Sequence, residues 1–293
     1  MTRTTISILI LGLVASATFG ADIPLRYKMA QGETLRYDCT TSGTGVAKTL
    51  DHSDPITLSA DFTYVMTCTG VDKDGNMTVV NRVEDLKVAA TMAGKPLPVN
   101  MQLPVLTTVM DTTGRVLSTK VEKAVPAGGD AGALLAGQLG GTTAGKPAFD
   151  LDQFFGDLHG PGFPVEAVHP GSRWQDVLKL TTQSGQTMDL TYTTTLLDYA
   201  QLTGHDCARL STDYELPLEL TLTAGYTFSL SGKTTGSQIA YFDYQRGRVL
   251  RFDGTSDTQI TMALPQLFGS RGPAQQAASM TVRATTTVAL RPE

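Results

Sequence analysis

The residues of this 293-residue chain best suited to nucleophilic or metal chemistry are three cysteines and four histidines. His205-Asp206-Cys207 sets an imidazole two residues from a thiol, the pairing that a cysteine nucleophile requires. Neighbours in a strand point to opposite faces, so His205 and Cys207 share a face that Asp206 does not. Thr203-Gly204 just before them reads as a turn entering a strand, so the expectation is a structural tract. His52, His159, His169 and His205 show neither the i, i+4 spacing with a Glu nor a second His or Cys in a ligand run. No metal ligands, cofactor-binding residues or catalytic residues are predicted.

Other patterns fail on mechanism. Gly140-Gly141-Thr142-Thr143-Ala144-Gly145-Lys146 has the spacing of a phosphate-binding loop. That loop needs a Ser or Thr next, to hold Mg²⁺, and a buried strand before it; here Pro147 follows a Gly/Ala-rich stretch. Asp72-Lys73-Asp74-Gly75-Asn76 has the texture of a calcium loop, but Asn81 stands where the bidentate Glu belongs, and a hairpin turn explains it better. Glu84-Asp85 and the pair Asp213 and Glu215 offer carboxylates for work on sugars, which would have to face each other across a cleft. Asp213 and Glu215 share one strand face and are expected to be solvated. No G-x-S-x-G elbow is present.

The cysteines are expected to be structural. Alternation puts Leu35, Tyr37 and Cys39 on one face, and Phe62, Tyr64, Met66 and Cys68 on another. A turn-rich stretch, Asp51-His52-Ser53-Asp54-Pro55, lies between them. A hairpin folding there would bring Cys39 opposite Cys68, making them the disulfide candidate, with two buried thiols as the alternative and Cys207 left free.

The dominant texture is strand. Residues 61–71, 77–88, 187–199, 226–234, 238–244, 248–261 and 280–290 alternate β-branched or apolar residues with polar ones. Gly, Asp and Asn punctuate them as hairpin turns. Short helices are expected at 132–139 and 151–158, with a weaker candidate at 273–278. Gly-Arg-Val-Leu occurs at Gly114 to Leu117 and again at Gly247 to Leu250, each time closing a hairpin pattern. This suggests an internal repeat, with a first β unit at 22–125 and a second at 160–293. A Gly/Ala-rich linker with short helices at 126–159 leads into Phe149, Phe154, Phe155 and Phe163, a lid over a cavity or a plug at a sheet end. Trp174, on a face with Leu178, reads as core or barrel-end plug. The fold class expected is all-β: two related antiparallel β units forming a sandwich or open barrel, with a few short helices.

Residues 1–21 carry Arg3, an apolar run at 6–14 and small residues after it, the order of a signal peptide cleaved near Ala17 to Ala21. That run is too short to cross a bilayer, which needs about 20 residues, and no second long one follows. The expected location is extracytoplasmic, periplasmic or secreted. With 23 basic and 28 acidic residues the net charge is −5, which argues against a nucleic-acid partner. A hydrophobic share of 41% supports a packed core. Outward strand positions rich in Thr, Asp, Gln and Arg argue against a barrel that faces lipid.

Pro170, Gly171 and Trp174 at a strand opening, followed by Gly204 and Cys207, resemble a loose set of secreted bacterial β-rich proteins with no assigned activity. The resemblance covers residues 160–260 and implies export and β architecture. The function expected is an exported, non-catalytic β protein that binds an apolar or extended ligand in the cell envelope. Its rivals are a hydrolase whose site assembles only in three dimensions and a structural or adhesive surface module. An apolar small molecule or an envelope protein is the candidate partner.

Overall fold

The computed structural model describes residues 22–49, 51–97, 105–121, 162–181, 187–223, 227–263 and 277–292. They form twelve strands: β1 (Thr34–Lys48), β2 (Ser53–Val71), β3 (Met77–Met92), β4 (Lys95–Leu97), β5 (Leu106–Met110), β6 (Val116–Val121), β7 (Arg173–Thr181), β8 (Thr187–Leu202), β9 (His205–Thr223), β10 (Thr227–Asp243), β11 (Arg248–Ala263) and β12 (Ala277–Leu290). The fold is all-β, and no helix occurs among the described residues. The helices expected at 132–139 and 151–158 fall outside those residues; of the third candidate, Ala277 and Ala278 belong to β12.

The two halves of the chain do not form a sandwich. They share one antiparallel sheet in the order β6-β5-β3-β2-β1-β12-β11-β10-β9-β8-β7, with β4 on β3. The first and last long strands join it in the middle, from Tyr37 opposite Leu290 to Lys48 opposite Ser279. Strands β6 and β7 are its two edges, so the barrel that the sheet approaches is not closed by hydrogen bonds.

Register shows why the sheet curls. Leu210, Ala240, Phe252, Val288, Cys39 and Phe62 stand opposite one another in a single row across β9, β10, β11, β12, β1 and β2. One residue along lies the row Ser211, Ile239, Asp253, Thr287, Thr40 and Asp61. One face is therefore apolar and the other mostly polar, and burying the first drives the curl. Hydroxyl pairs such as Thr57–Thr91 (2.7 Å), Ser42–Thr285 (3.0 Å) and Thr34–Thr67 (3.1 Å) lace the exposed side.

Two glycines on the concave face mark tight bends. A Cβ on Gly45 would lie 2.9 Å from Val282 Cα and closer still to the Thr281 carbonyl oxygen. At Gly236 that space is taken by the ring of Tyr214, its direct cross-strand partner. Glycine kinks of this kind allow a sheet to bend beyond what side chains at those sites would permit.

The hairpin between β1 and β2 forms where it was expected, but its register overturns the disulfide. The β1–β2 register places Cys39 opposite Phe62, while the Cys68 amide donates to the Glu33 carbonyl at 2.9 Å. The two thiols thus sit six residues apart along β2, a separation of about 20 Å at the usual strand rise. Cys39, Cys68 and Cys207 are all free and buried.

Candidate functional site

One end of the curled sheet is sealed by chain that belongs to no strand. Residues 22–32 cross it, with Ile23 and Val168 exchanging backbone hydrogen bonds at 2.9 and 3.0 Å. The Tyr27 amide then donates to Thr112 O (2.7 Å) in the β5–β6 turn, and the Lys28 amide to Gly247 O (3.0 Å) in the β10–β11 turn. Both receiving turns are preorganised by an aspartate: Asp111 Oδ1 accepts the amides of Thr113 and Arg115, and Asp243 Oδ1 those of Gln245 and Arg246. These are the two Gly-Arg-Val-Leu hairpins noted in the sequence. The guanidinium of Arg26 donates to the carbonyls of Leu25, Pro164 and Val165, tying the crossing segment to residues 162–168.

The seal is aromatic. Phe163 stacks on Tyr27 with centroids 4.9 Å apart and meets Phe242 edge-on at 4.7 Å and Trp174 at 6.4 Å. Leu25, Val168, Leu196 and Ala208 complete the cluster. Phe163 is thus a plug; Phe149, Phe154 and Phe155 lie outside the described residues. Trp174 takes the barrel-end position read from the sequence, and its indole N–H donates to Gly162 O at 3.0 Å. Burial drives the Tyr27 hydroxyl up to about 12.

Above the plug lies a cavity of about 750 Å³. Tyr37, Cys39, Phe62, Met66, Leu210 and Phe252 are among its lining side chains, contributed by both halves of the chain. Several of the polar groups in its wall are engaged with other protein groups. Tyr64 donates to Asn81 Oδ1 at 2.9 Å, Asn81 donates to Thr108 at 3.2 Å, and Arg248 is ion-paired with Glu33 at 2.6 Å. Desolvation raises the Tyr37 and Tyr64 hydroxyls well above their ordinary value and pushes the Cys39 thiol up to about 11. Among the described residues no aspartate, glutamate or histidine lines the space. Toward the end opposite the plug, the apolar side chains of Ile56, Leu58, Val88, Ala90 and Met92 remain only half-buried on the same face.

The residues singled out for chemistry do not meet at this cavity. His205 Nδ1 lies 2.9 Å from Asp243 Oδ2, and Arg246 Nη1 lies 3.2 Å from the same ring nitrogen, in the turns at the plug end. Asp243, which is buried, was missed in the sequence reading because 38 residues separate it from His205; only the β9–β10 pairing brings them together. Cys207 directs its thiol to the His205 carbonyl, and burial raises it to about 11, the opposite of an activated thiolate. Asp213 and Glu215 are exposed, as expected from their shared face. Glu84 is held between Arg36 and Arg82, and the hydrogen bond from Arg82 keeps its carboxyl below the usual range. Asp72 caps its own turn through the amides of Asp74 and Asn76, which confirms a hairpin in place of a calcium loop. Residues 140–146 and His159 lie outside the described residues.

No protein-family model matches the chain, and no curated protein does. Among solved structures, the crystal structure of Pseudomonas aeruginosa OpdQ is similar over 88% of this chain and 98% of that one, at 8% identity and a TM-score of 0.18. The functional reading rests on the cavity and the faces of the sheet.

Proposed function

We propose that this protein is an exported binding protein that holds the apolar chain of a small amphiphile inside its curled sheet. One observation carries the reading: the sheet turns its apolar face inward around about 750 Å³ of space, while its outer face is dressed in Thr, Ser and paired charges. A barrel built to face lipid has the reverse polarity, apolar outside and polar within. The volume lies in the range of ligand pockets, 300–1,000 Å³. At the ~30 Å³ that one water occupies in the liquid, it has room for about 25 groups of methylene size. Burying ten methylenes contributes about 8 kcal/mol of transfer free energy, so a single chain suffices for binding without any charged anchor. The signal-like order of residues 1–21 supports export to the periplasm or beyond.

Titration with a fluorescent fatty acid tests the reading, alongside native mass spectrometry of the purified chain for a co-purifying lipid. Ala240 lies in the cavity wall between Leu210 and Phe252, so Ala240→Trp fills the space from within. The expected result is saturable binding to the natural chain and loss of at least tenfold in the variant, with the strand signal in circular dichroism unchanged. Equal binding by both proteins, or none by either, overturns the proposal. Amino-terminal sequencing of the protein from fractionated cells tests export, with cleavage expected near Ala17 to Ala21.

A further inference from the structure

Among the described residues, the two sheet edges, β6 and β7, are bridged by Gly162 and Phe163. Gly162 donates its amide to Asp176 Oδ2 of β7 at 3.3 Å, and the next amide, of Phe163, donates to Thr113 O beside β6 at 2.7 Å. Along the strands from that bridge the edges are not paired with each other among the described residues. Exposed aliphatic side chains gather around this seam. Leu117 on β6 is 52% exposed, Val177 on β7 46% and Val165 in the bridging segment 74%. Leu197, at the β8 bulge, and Val71 are the other large hydrophobics exposed among the described residues. The seam is also locally cationic. On the outer face, Arg36, Arg82, Arg209, Arg251, Arg283 and Arg291 each meet a carboxylate. At the seam Arg115, Lys120 and Arg173 are exposed and form no ion pair among the described residues. With Arg26 they make four cations against Glu166 and Asp176, on a chain whose net charge is −5.

From aliphatic lips edged by cations along an unpaired seam, we infer that the β6/β7 edge is a docking surface for a lipid bilayer carrying anionic headgroups. Shallow insertion of Leu117, Val165 and Val177 supplies apolar area, and the cations hold the surface by its charge. The cavity wall includes Leu106 and Met110 on β5 and Leu178 on β7, so both sides of the seam lead to it. A chain leaving the bilayer would enter there; that route, unlike the docking, rests on the cavity reading above.

Vesicle flotation tests the docking with the full chain. The vesicles are phosphatidylcholine, with or without roughly a third phosphatidylglycerol. Binding is expected to the anionic vesicles, to weaken as salt rises, and to fall about fivefold for each of Arg115, Lys120 and Arg173 changed to Gln. The double variant Leu117→Asp/Val177→Asp is expected to lose binding at least tenfold while still titrating the fluorescent fatty acid, which separates failure of docking from failure of the cavity reading. Absence of flotation, or flotation unchanged in these variants, overturns the inference. So does sedimentation showing a dimer that Val177→Asp dissolves, which would assign the seam to a second copy of the chain.

Discussion

The halves of the chain meet twice, and the two meetings are built differently. At the β1/β12 junction the strands pair residue for residue from Tyr37–Leu290 to Lys48–Ser279. Several of its outer charges are matched: Arg291 donates to Asp38 at 2.7 Å and to Thr63 at 2.9 Å, and Arg283 to Asp257 at 2.8 Å. At the β6/β7 seam the edges share no ladder among the described residues, residues 162–163 bridge them, and apolar and cationic side chains are exposed. Edge strands left this way invite association unless something manages them. Asp176, on the inward-facing register of β7 with Trp174 and Leu178, is one such device, a charge turned toward the inside of an edge strand. The contrast teaches that, among the described residues, the two halves are joined by hydrogen bonds at one junction and not at the other.

The comparison can be broken hardest at the junction. Gly45→Val places side-chain atoms on the β12 backbone, and relief requires the two strands to part. The expected loss is about 3–5 kcal/mol, seen as a large drop in urea midpoint or as failure to fold. Next comes Phe163→Ala, which removes the aromatic centre of the plug and loosens the bridge across the seam. About 3–4 kcal/mol is expected from the same denaturation curve. A thermal loss under 1 kcal/mol would show that the plug is dispensable.

A smaller effect comes from acid. The hydrogen bond from Arg291 holds the Asp38 carboxyl below its ordinary value; Arg251 does the same for Asp253 and Arg283 for Asp257. A carboxylate whose folded value is depressed contributes stability above its unfolded value, about pH 4, and loses it as pH falls through the folded value. Stability should therefore be flat from pH 7 to about 5 and decline below 4. Arg291→Met is expected to make that decline shallower, as equilibrium unfolding at pH 3 and pH 7 would show. The smallest change is at the seam: Val177→Asp should shift stability by no more than about 0.5 kcal/mol, because the side chain is already in water. Thiol accessibility sharpens the picture at little cost. Because Cys39, Cys68 and Cys207 are buried with raised values, a charged disulfide reagent should label none of them at pH 8 and all three in denaturant.

Much of the architecture was legible along the chain. The period-two runs became strands because in a half-buried sheet each side chain's face follows from its parity. The turns at Asp72, Asp111 and Asp243 were legible because a capping carboxylate and a glycine at positive φ are local requirements. The Cys39–Cys68 pairing failed for an equally physical reason. Parity placed both on the inner face, correctly, but the distance of each from the turn decides register, and Cys39 lies nearer to it than Cys68 does. The sandwich alternative gave way to one sheet because β1 and β12, more than two hundred residues apart, pair along their length.

Composition and alternation alone thus determined that this is a β protein, which residues face inward, and where most hairpins turn, since all three depend on interactions between residues close in sequence. The cavity, its aromatic seal, the His205–Asp243 pair and the unequal edges were decided only by the tertiary structure. Each depends on which distant strands lie side by side and at what stagger, and that follows from burying the whole apolar face at once.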